Sequence, residues 1–121
     1  FHLSKSPELL EKSEVDHALF ILGDLYYQIG NFTEAANMYN LLKELFEREQ
    51  PERLDWVFYQ LGNIANSLKN YDESEIFFQK VINDYPQSFW TPYAREKLDY
   101  IQWIREIEPK IEEMRKQQAE E

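Results

Sequence analysis

The chain matches itself when it is shifted by 39 residues, so that residues 20–39 fall on residues 59–78. A period of 20–50 residues is typical of repeat arrays, in which each unit buries its apolar face against the next unit. The shared offset therefore predicts two similar units stacked side by side. The matched positions are Leu22-Gly23 with Leu61-Gly62, Asn31-Phe32 with Asn70-Tyr71, Glu34 with Glu73, Ala35 with Ser74, Tyr39 with Phe78, and Phe46 with Tyr85.

The apolar residues inside each unit recur at helical spacing. Leu19, Leu22, Tyr26 and Ile29 form one such stripe at intervals of three and four residues. Glycine, asparagine and proline are expected to interrupt the helices. Each unit then reads as helix, short turn, helix, and the fold class is all-α, built from antiparallel helix pairs. The predicted breaks are Gly30-Asn31, Gln50-Pro51, Lys69-Asn70 and Tyr85-Pro86.

Small and large residues alternate in a way that suits closely crossing helices. Where two backbones approach, a small side chain is needed, while aromatic rings fill the wedge-shaped space that remains between the helices. Burial of one such ring stabilises the fold by about 1.5–3 kcal/mol, which outweighs the roughly 1 kcal/mol lost by glycine in a helix. We expect the close approaches at Gly23, Ala35, Gly62 and Ser74, and the wedge rings at Tyr26, Phe32, Tyr39, Tyr71 and Phe78.

Composition limits the classes of function. The chain of 121 residues fits one domain, and its formal net charge of -10 disfavours nucleic acids and anionic membrane surfaces. It has no cysteine, which excludes disulfides and cysteine-bound metals. No apolar run approaches the roughly 18 residues that span a bilayer, so we expect no membrane insertion. Because the sequence starts at Phe1 without a signal-peptide pattern, we expect it to be a piece of a longer protein.

The order Leu-Gly, aromatic, Asn-aromatic turn, small residue, aromatic resembles the tetratricopeptide repeat. The sequence departs from that family in its period, which exceeds the usual value of about 34 residues, and in Glu47, where proline is usual. The resemblance implies a right-handed α-solenoid with a C-terminal capping helix. Its expected parts are a lead-in at 1–13, helix pairs at 14–50 and 51–86, and a cap with a polar tail at 88–121. The matching positions are Leu19, Leu22, Gly23, Tyr26, Phe32, Ala35 and Tyr39, then Phe58, Leu61, Gly62, Ala65, Tyr71, Ser74, Phe78 and Pro86.

The same resemblance implies a binding groove, because in this family the first helix of each pair lines a concave surface that holds peptides. Aromatic rings and amides on that surface suit a protein or peptide partner. Phe20 and Tyr93 could equally belong to the core, Trp56 and Tyr59 are expected to be exposed, and Trp90 and Trp103 could pack the cap or join two copies. The predicted partner-binding residues are Phe20, Asp24, Tyr27, Trp56, Tyr59, Asn63, Asn66, Tyr93, Lys97 and Tyr100, flanked by His17, Gln28 and Ser67.

The segment after the second unit carries another resemblance. Residues 85–101, with Tyr85-Pro86 and Ser88, resemble a pattern of bacterial cell-envelope repeat proteins, which favours a periplasmic location over a cytoplasmic one. Thr91 is expected to cap a fifth helix. Pro109 predicts a kink or a restart in that helix, and the polar end is expected to fray.

No constellation of catalytic residues is apparent. The acidic pairs lie on solvated segments, and His2 and His17 have no ligand partners at helical spacing. We therefore expect neither enzymatic activity, nor a cofactor, nor a bound metal. The alternative to a groove-binding scaffold is an oligomerisation segment, because stacked repeats usually need about three units for stability. Such a segment would complete its stack with another copy or with neighbouring repeats.

Overall fold

The computed structural model describes residues 12–120. Most of the lead-in predicted at 1–13, together with His2, lies outside the described residues. The described part is all-α and has no strand, as predicted. Its helices are α1 (Lys12–Gln28), α2 (Phe32–Glu49), α3 (Leu54–Ser67), α4 (Tyr71–Asp84) and α5 (Thr91–Glu120), with a short 3-10 helix (Pro51–Arg53) before α3.

The helices pack in chain order. α1 pairs with α2 and α3 pairs with α4, while contacts of α2 with α3 and of α4 with α5 join the pairs into a stack. α3 lies at the centre and is the most buried helix, because it has neighbours on several sides. Its buried residues are Leu54, Val57, Phe58, Tyr59, Leu61, Gly62, Ile64 and Ala65.

The turns inside the two pairs have the same backbone geometry. Asn31 has φ and ψ of -87° and 76°, and Asn70 has -88° and 75°. The residue before each adopts a left-handed conformation, Gly30 at φ 82° and Lys69 at φ 59°. Each asparagine N–H donates to a carbonyl five residues earlier at 2.8 Å, a bond that closes many helix C-termini. The predicted breaks at 30–31 and 69–70 are therefore two copies of one turn.

Gly23 and Gly62 leave room for aromatic rings rather than for the backbone of a neighbouring helix. A Cβ atom on Gly23 would lie 2.5 Å from the ring of Tyr39, and one on Gly62 would lie 2.7 Å from the ring of Phe78. Both rings are almost fully buried. Close approach of helices does occur at Ser74, whose hydroxyl donates a buried hydrogen bond of 2.8 Å to the Gly62 carbonyl. The prediction of a close approach is thus confirmed at Ser74, whereas at Gly23 and Gly62 the small residue makes room for a ring.

The excess length of the repeat lies in α2. This helix has 18 residues and α4 has 14, so that α2 runs about one turn further. Glu47, which stands where proline is usual, is inside this additional turn. Pro51 then begins the 3-10 helix that leads into α3.

α5 begins at Thr91 as predicted, but its details differ from expectation. The Thr91 hydroxyl is buried and donates to the carbonyl of Tyr85, so it ties the preceding segment down instead of capping the helix. Pro109 does not cause a restart, because α5 is one helix with this proline inside it. The polar end is helical to Glu120, so the fraying predicted there is not observed.

Equivalent leucines in the two units differ sharply in burial. Leu61 in α3 is 3% exposed, whereas Leu22 in α1 is 42% exposed. The cause is the position of α1 at the end of the stack. α3 is flanked by both α2 and α4, whereas within the described residues α1 packs mainly against α2. Ile29, from the same predicted stripe, is 74% exposed, and its equivalent in the second unit, Leu68, is also exposed. The expectation that Leu22 occupies a packing position is therefore wrong for the described residues.

Candidate partner-binding groove

The predicted site residues lie on α1, α3 and α5, and ring contacts connect these three elements. Phe20 of α1 stacks on Trp56 of α3, with centroids 4.7 Å apart. Trp56 also meets Tyr39 edge-on at 5.3 Å. Further along α3, Tyr59 stacks at 5.1 Å on Trp90, which directly precedes α5. Rings therefore run along the first helices of both pairs and reach the start of the cap.

Tyr59 does not have the exposed ring that the sequence predicts. It is only 8% exposed, because Trp90 covers one side and Phe78 lies 5.7 Å away. Burial raises the pKa of its hydroxyl, a hydrogen bond with Asn63 opposes this shift, and nearby Glu96, Tyr27 and Tyr93 raise the pKa further. Tyr59 is thus mainly a packing residue in the described part of the chain.

Asn63 is the most unusual polar group of the region. Its side chain is half-buried, and its Oδ1 atom is buried without a hydrogen-bond partner. Loss of solvation without a replacement bond costs about 1–3 kcal/mol, so folds seldom keep such an atom without a use. Asn66, one turn further along α3, is also half-buried, and its backbone carbonyl accepts the N–H of Lys69.

The α1 residues fall into two groups. Asp24 is exposed and accepts a hydrogen bond of 2.8 Å from Gln28. Tyr27 is half-buried and meets Phe32 of α2 edge-on at 5.4 Å, so its ring packs within the pair besides facing α3. The pKa of Tyr39 is raised to about 12, mainly by burial and further by Asp24 and Tyr27. His17 and Ser67 are exposed.

The α5 residues of the prediction do not form one cluster. Tyr93 is 45% exposed and contacts other rings at the start of the helix. Lys97 is half-buried. Tyr100 is exposed, and its ring pairs with that of Trp103 at 6.1 Å. The geometry links Tyr93 to the α3 rings and leaves Tyr100 with a separate, exposed pair.

Two residues of the site were missed or left undecided by sequence reasoning. Trp90 packs on Tyr59, which decides its role as a cap-packing ring. Phe89 is 68% exposed and contacts both Trp90 and Tyr93. The signal was the run "SFWTPY", which places three rings within five positions at the start of a predicted helix.

Two adjoining clefts lie at the other end of the ring series, beside Phe20. They measure about 360 and 200 Å³ and share Phe20, Phe46 and Arg53. Asp16 lines the larger one, and one of its carboxylate oxygens is buried without a hydrogen-bond partner. Across residues 12–120 no group of three acidic or histidine side chains is arranged to hold a metal ion. None of the helices described is long and apolar enough to cross a membrane.

Comparison with known proteins agrees with the internal repeat. A family model for the tetratricopeptide repeat matches the chain twice, over residues 17–47 and 56–88. These matches cover more than half of the chain, and their starts are separated by the same offset that the sequence has with itself. No curated protein and no solved structure matches the chain.

Proposed function

The chain belongs to the tetratricopeptide repeat family, and we propose that it is a non-enzymatic binding module that holds a segment of a partner protein along α1, α3 and α5. Repeats of this family generally mediate protein–protein interaction. The observation that carries the proposal is the pair of ring stacks, Phe20 on Trp56 and Tyr59 on Trp90, which join α1 to α3 and α3 to the segment before α5. One turn beyond Tyr59 on α3, the half-buried Asn63 carries an amide of the kind that hydrogen-bonds a peptide backbone, and we propose that it does so here.

Replacing Asn63 with leucine is expected to weaken partner binding about three- to tenfold, which corresponds to the loss of one hydrogen bond. The same change removes a buried oxygen that has no partner, but it also removes the hydrogen bond between Asn63 and Tyr59. Because these two effects oppose each other, the stability is expected to change by no more than about 1 kcal/mol. The partner would be captured from the native organism, and its affinity for each variant measured by isothermal titration calorimetry. Stability would be measured by urea denaturation.

Asn83→Leu is the matched control, since Asn83 is exposed on α4 and bonds only locally with Gln79. It is expected to bind like the wild type. An unchanged affinity in Asn63→Leu, or an equal loss in both variants, would contradict the groove proposal. A loss of stability well above about 1 kcal/mol in Asn63→Leu would instead identify Asn63 as a structural residue.

The second candidate function is completion of the repeat stack by another copy or by neighbouring repeats. The observation that favours it is an exposed apolar face on α1, whose residues recur on one side of the helix. Contiguous apolar surface of this kind often marks an interaction site. The residues are Ile21, Leu22, Leu25 and Ile29.

If this face joins two copies, the weight-average mass in sedimentation equilibrium is expected to rise with concentration, and Leu25→Glu with Ile29→Glu is expected to abolish the rise. Ile76→Glu serves as the control, because Ile76 is exposed on α4. A wild-type mass that stays monomeric at all concentrations would rule out self-association. The net charge of -10 opposes self-association, most strongly at low salt.

Two further parts of the proposed function rest on sequence. The net charge disfavours a nucleic-acid partner, because it repels the phosphate backbone. A place in a bacterial cell envelope is supported by the resemblance of residues 85–101 alone.

A further inference from the structure

We propose that the partner segment is basic and that an arginine side chain of it stacks on the rings of Phe89, Trp90 and Tyr93, which we call the cap cluster. This inference rests on the proposed function, since it names the chemistry of the partner that the groove would hold. Three observations carry it: the open rings of the cap cluster, the way this fold pairs its other rings with cations, and the excess of acidic groups along the groove.

The cap cluster presents aromatic surface to solvent at one end of the groove. Its centroids are 5.0 to 6.1 Å apart, and its rings are inclined to one another by 45° to 87°. Phe89 and Tyr93 are exposed, while Trp90 is held from below by the buried ring of Tyr59. The cluster is thus an exposed set of ring faces on a rigid support, a composition favoured at interfaces.

Elsewhere the fold places its own cations over ring faces. The guanidinium of Arg53 lies 4.3 Å from the centroid of Phe46, and the ammonium of Lys80 lies 5.3 Å from that of Phe58. The cap cluster has no such contact with any cation in the described part of the chain. Its ring faces are therefore available to a cation from a partner, which they attract through their quadrupoles.

Acidic groups outnumber basic groups around the groove. Glu96 lies close enough to Tyr59 to raise the pKa of its hydroxyl, and the two clefts at the other end add further carboxylates against one guanidinium, that of Arg53. Such a field attracts positive partners and repels negative ones, in line with the charge of the whole chain. The acidic residues are Asp16, Asp24, Glu52, Asp55 and Glu96, and the basic ones are Arg53, Arg95 and Lys97.

Arginine suits the cap cluster better than lysine does. Its guanidinium is planar and weakly hydrated, so it stacks on a ring face while its N–H groups reach a carboxylate. Glu96 follows Tyr93 by three positions on α5, which puts both on neighbouring surface of the helix. A ring face and a carboxylate therefore lie within reach of the same side chain.

Three octapeptides test the inference, in which glycine alternates with arginine, glutamine or glutamate. They would be titrated into ¹⁵N-labelled protein while the indole N–H signals of Trp56, Trp90 and Trp103 are followed by NMR. The arginine peptide is expected to shift the indole N–H signal of Trp90 until binding is saturated. The glutamine peptide should shift that signal far less, and the glutamate peptide should not shift it. Trp103, outside the groove rings, is expected to stay in place. Added salt should weaken the binding of the arginine peptide, because it screens the charges.

Phe89→Leu and Tyr93→Leu are each expected to lower the affinity for the arginine peptide about two- to fivefold, which is the range for one exposed cation–ring contact. Trp103→Leu is the matched control, because it removes another exposed ring. An unmoved Trp90 signal, or unchanged affinity in both cluster variants, would overturn the inference. Equal shifts by the glutamine peptide would also overturn it, yet leave groove binding intact. Groove binding itself fails if Asn63→Leu binds the captured partner normally, or if Asn63→Leu and Asn83→Leu lose affinity equally.

Discussion

Replacing Phe78 with alanine is expected to lower the free energy of unfolding by about 3–5 kcal/mol. The ring is fully buried, fills the space over Gly62 and contacts Tyr59. Its removal leaves a cavity in the second pair that rigid neighbouring helices cannot close. Since domains of this size are stable by only about 5–15 kcal/mol, the variant should unfold at much lower urea, as followed by far-UV circular dichroism.

Phe89→Ala is the matched control for that experiment. It removes the same ring from a position that is mostly exposed, and it should cost less than about 1 kcal/mol. Similar losses in both variants would mean that Phe78 is not the centre of the second pair. A small loss in Phe78→Ala would mean that the neighbouring helices collapse into the space.

Adding one methyl group at Gly62 is expected to destabilise the fold by up to about 2 kcal/mol. The new Cβ would lie 2.7 Å from a ring carbon of Phe78, which has no free space to move into. Overpacking of this kind typically costs about 1–3 kcal/mol, and the better helix propensity of alanine returns about 1 kcal/mol of it. Urea denaturation of Gly62→Ala would measure the net effect.

The cause can be isolated by a second substitution. In a Phe78→Leu background the ring is gone, so that Gly62→Ala is expected to be neutral or stabilising there. Gly23→Ala makes the equivalent clash with Tyr39, and it should cost less than Gly62→Ala because α1 has an exposed outer face and can shift. A loss at Gly62 that is the same in both backgrounds would exclude the ring clash as its cause.

The helices and turns were predictable because their signals are local. Gly30-Asn31, Lys69-Asn70 and Pro51 act on the backbone within one or two residues. Burial was less predictable, because it depends on neighbours that are distant in sequence. Leu22 and Leu61 have the same residue type and register, yet among residues 12–120 a further helix packs against α3 that has no counterpart for α1, and Leu61 alone of the two is buried.

The helices that carry the candidate site residues could be predicted from the sequence, whereas the exposure of those residues could not. The candidate residues on α1 and α3 lie on helices that were predicted, and the stack of Phe20 on Trp56 joins the two helices. Tyr59 was misjudged because Trp90, which covers it, comes from a segment outside the repeat alignment. Phe89 was missed for the same reason. The unpartnered oxygen of Asn63 could not be foreseen, because hydrogen-bond satisfaction depends on all surrounding atoms.

The identity of the two turns has a consequence for how such a chain can grow. Asn31 and Asn70 have equal backbone angles, and each follows a left-handed residue. Residues 31–69 therefore begin and end at structurally equivalent points of the repeat. A tandem duplication of that stretch would join Lys69 to a new asparagine without any change in junction geometry. An in-frame duplication could therefore lengthen the array without adding a linker.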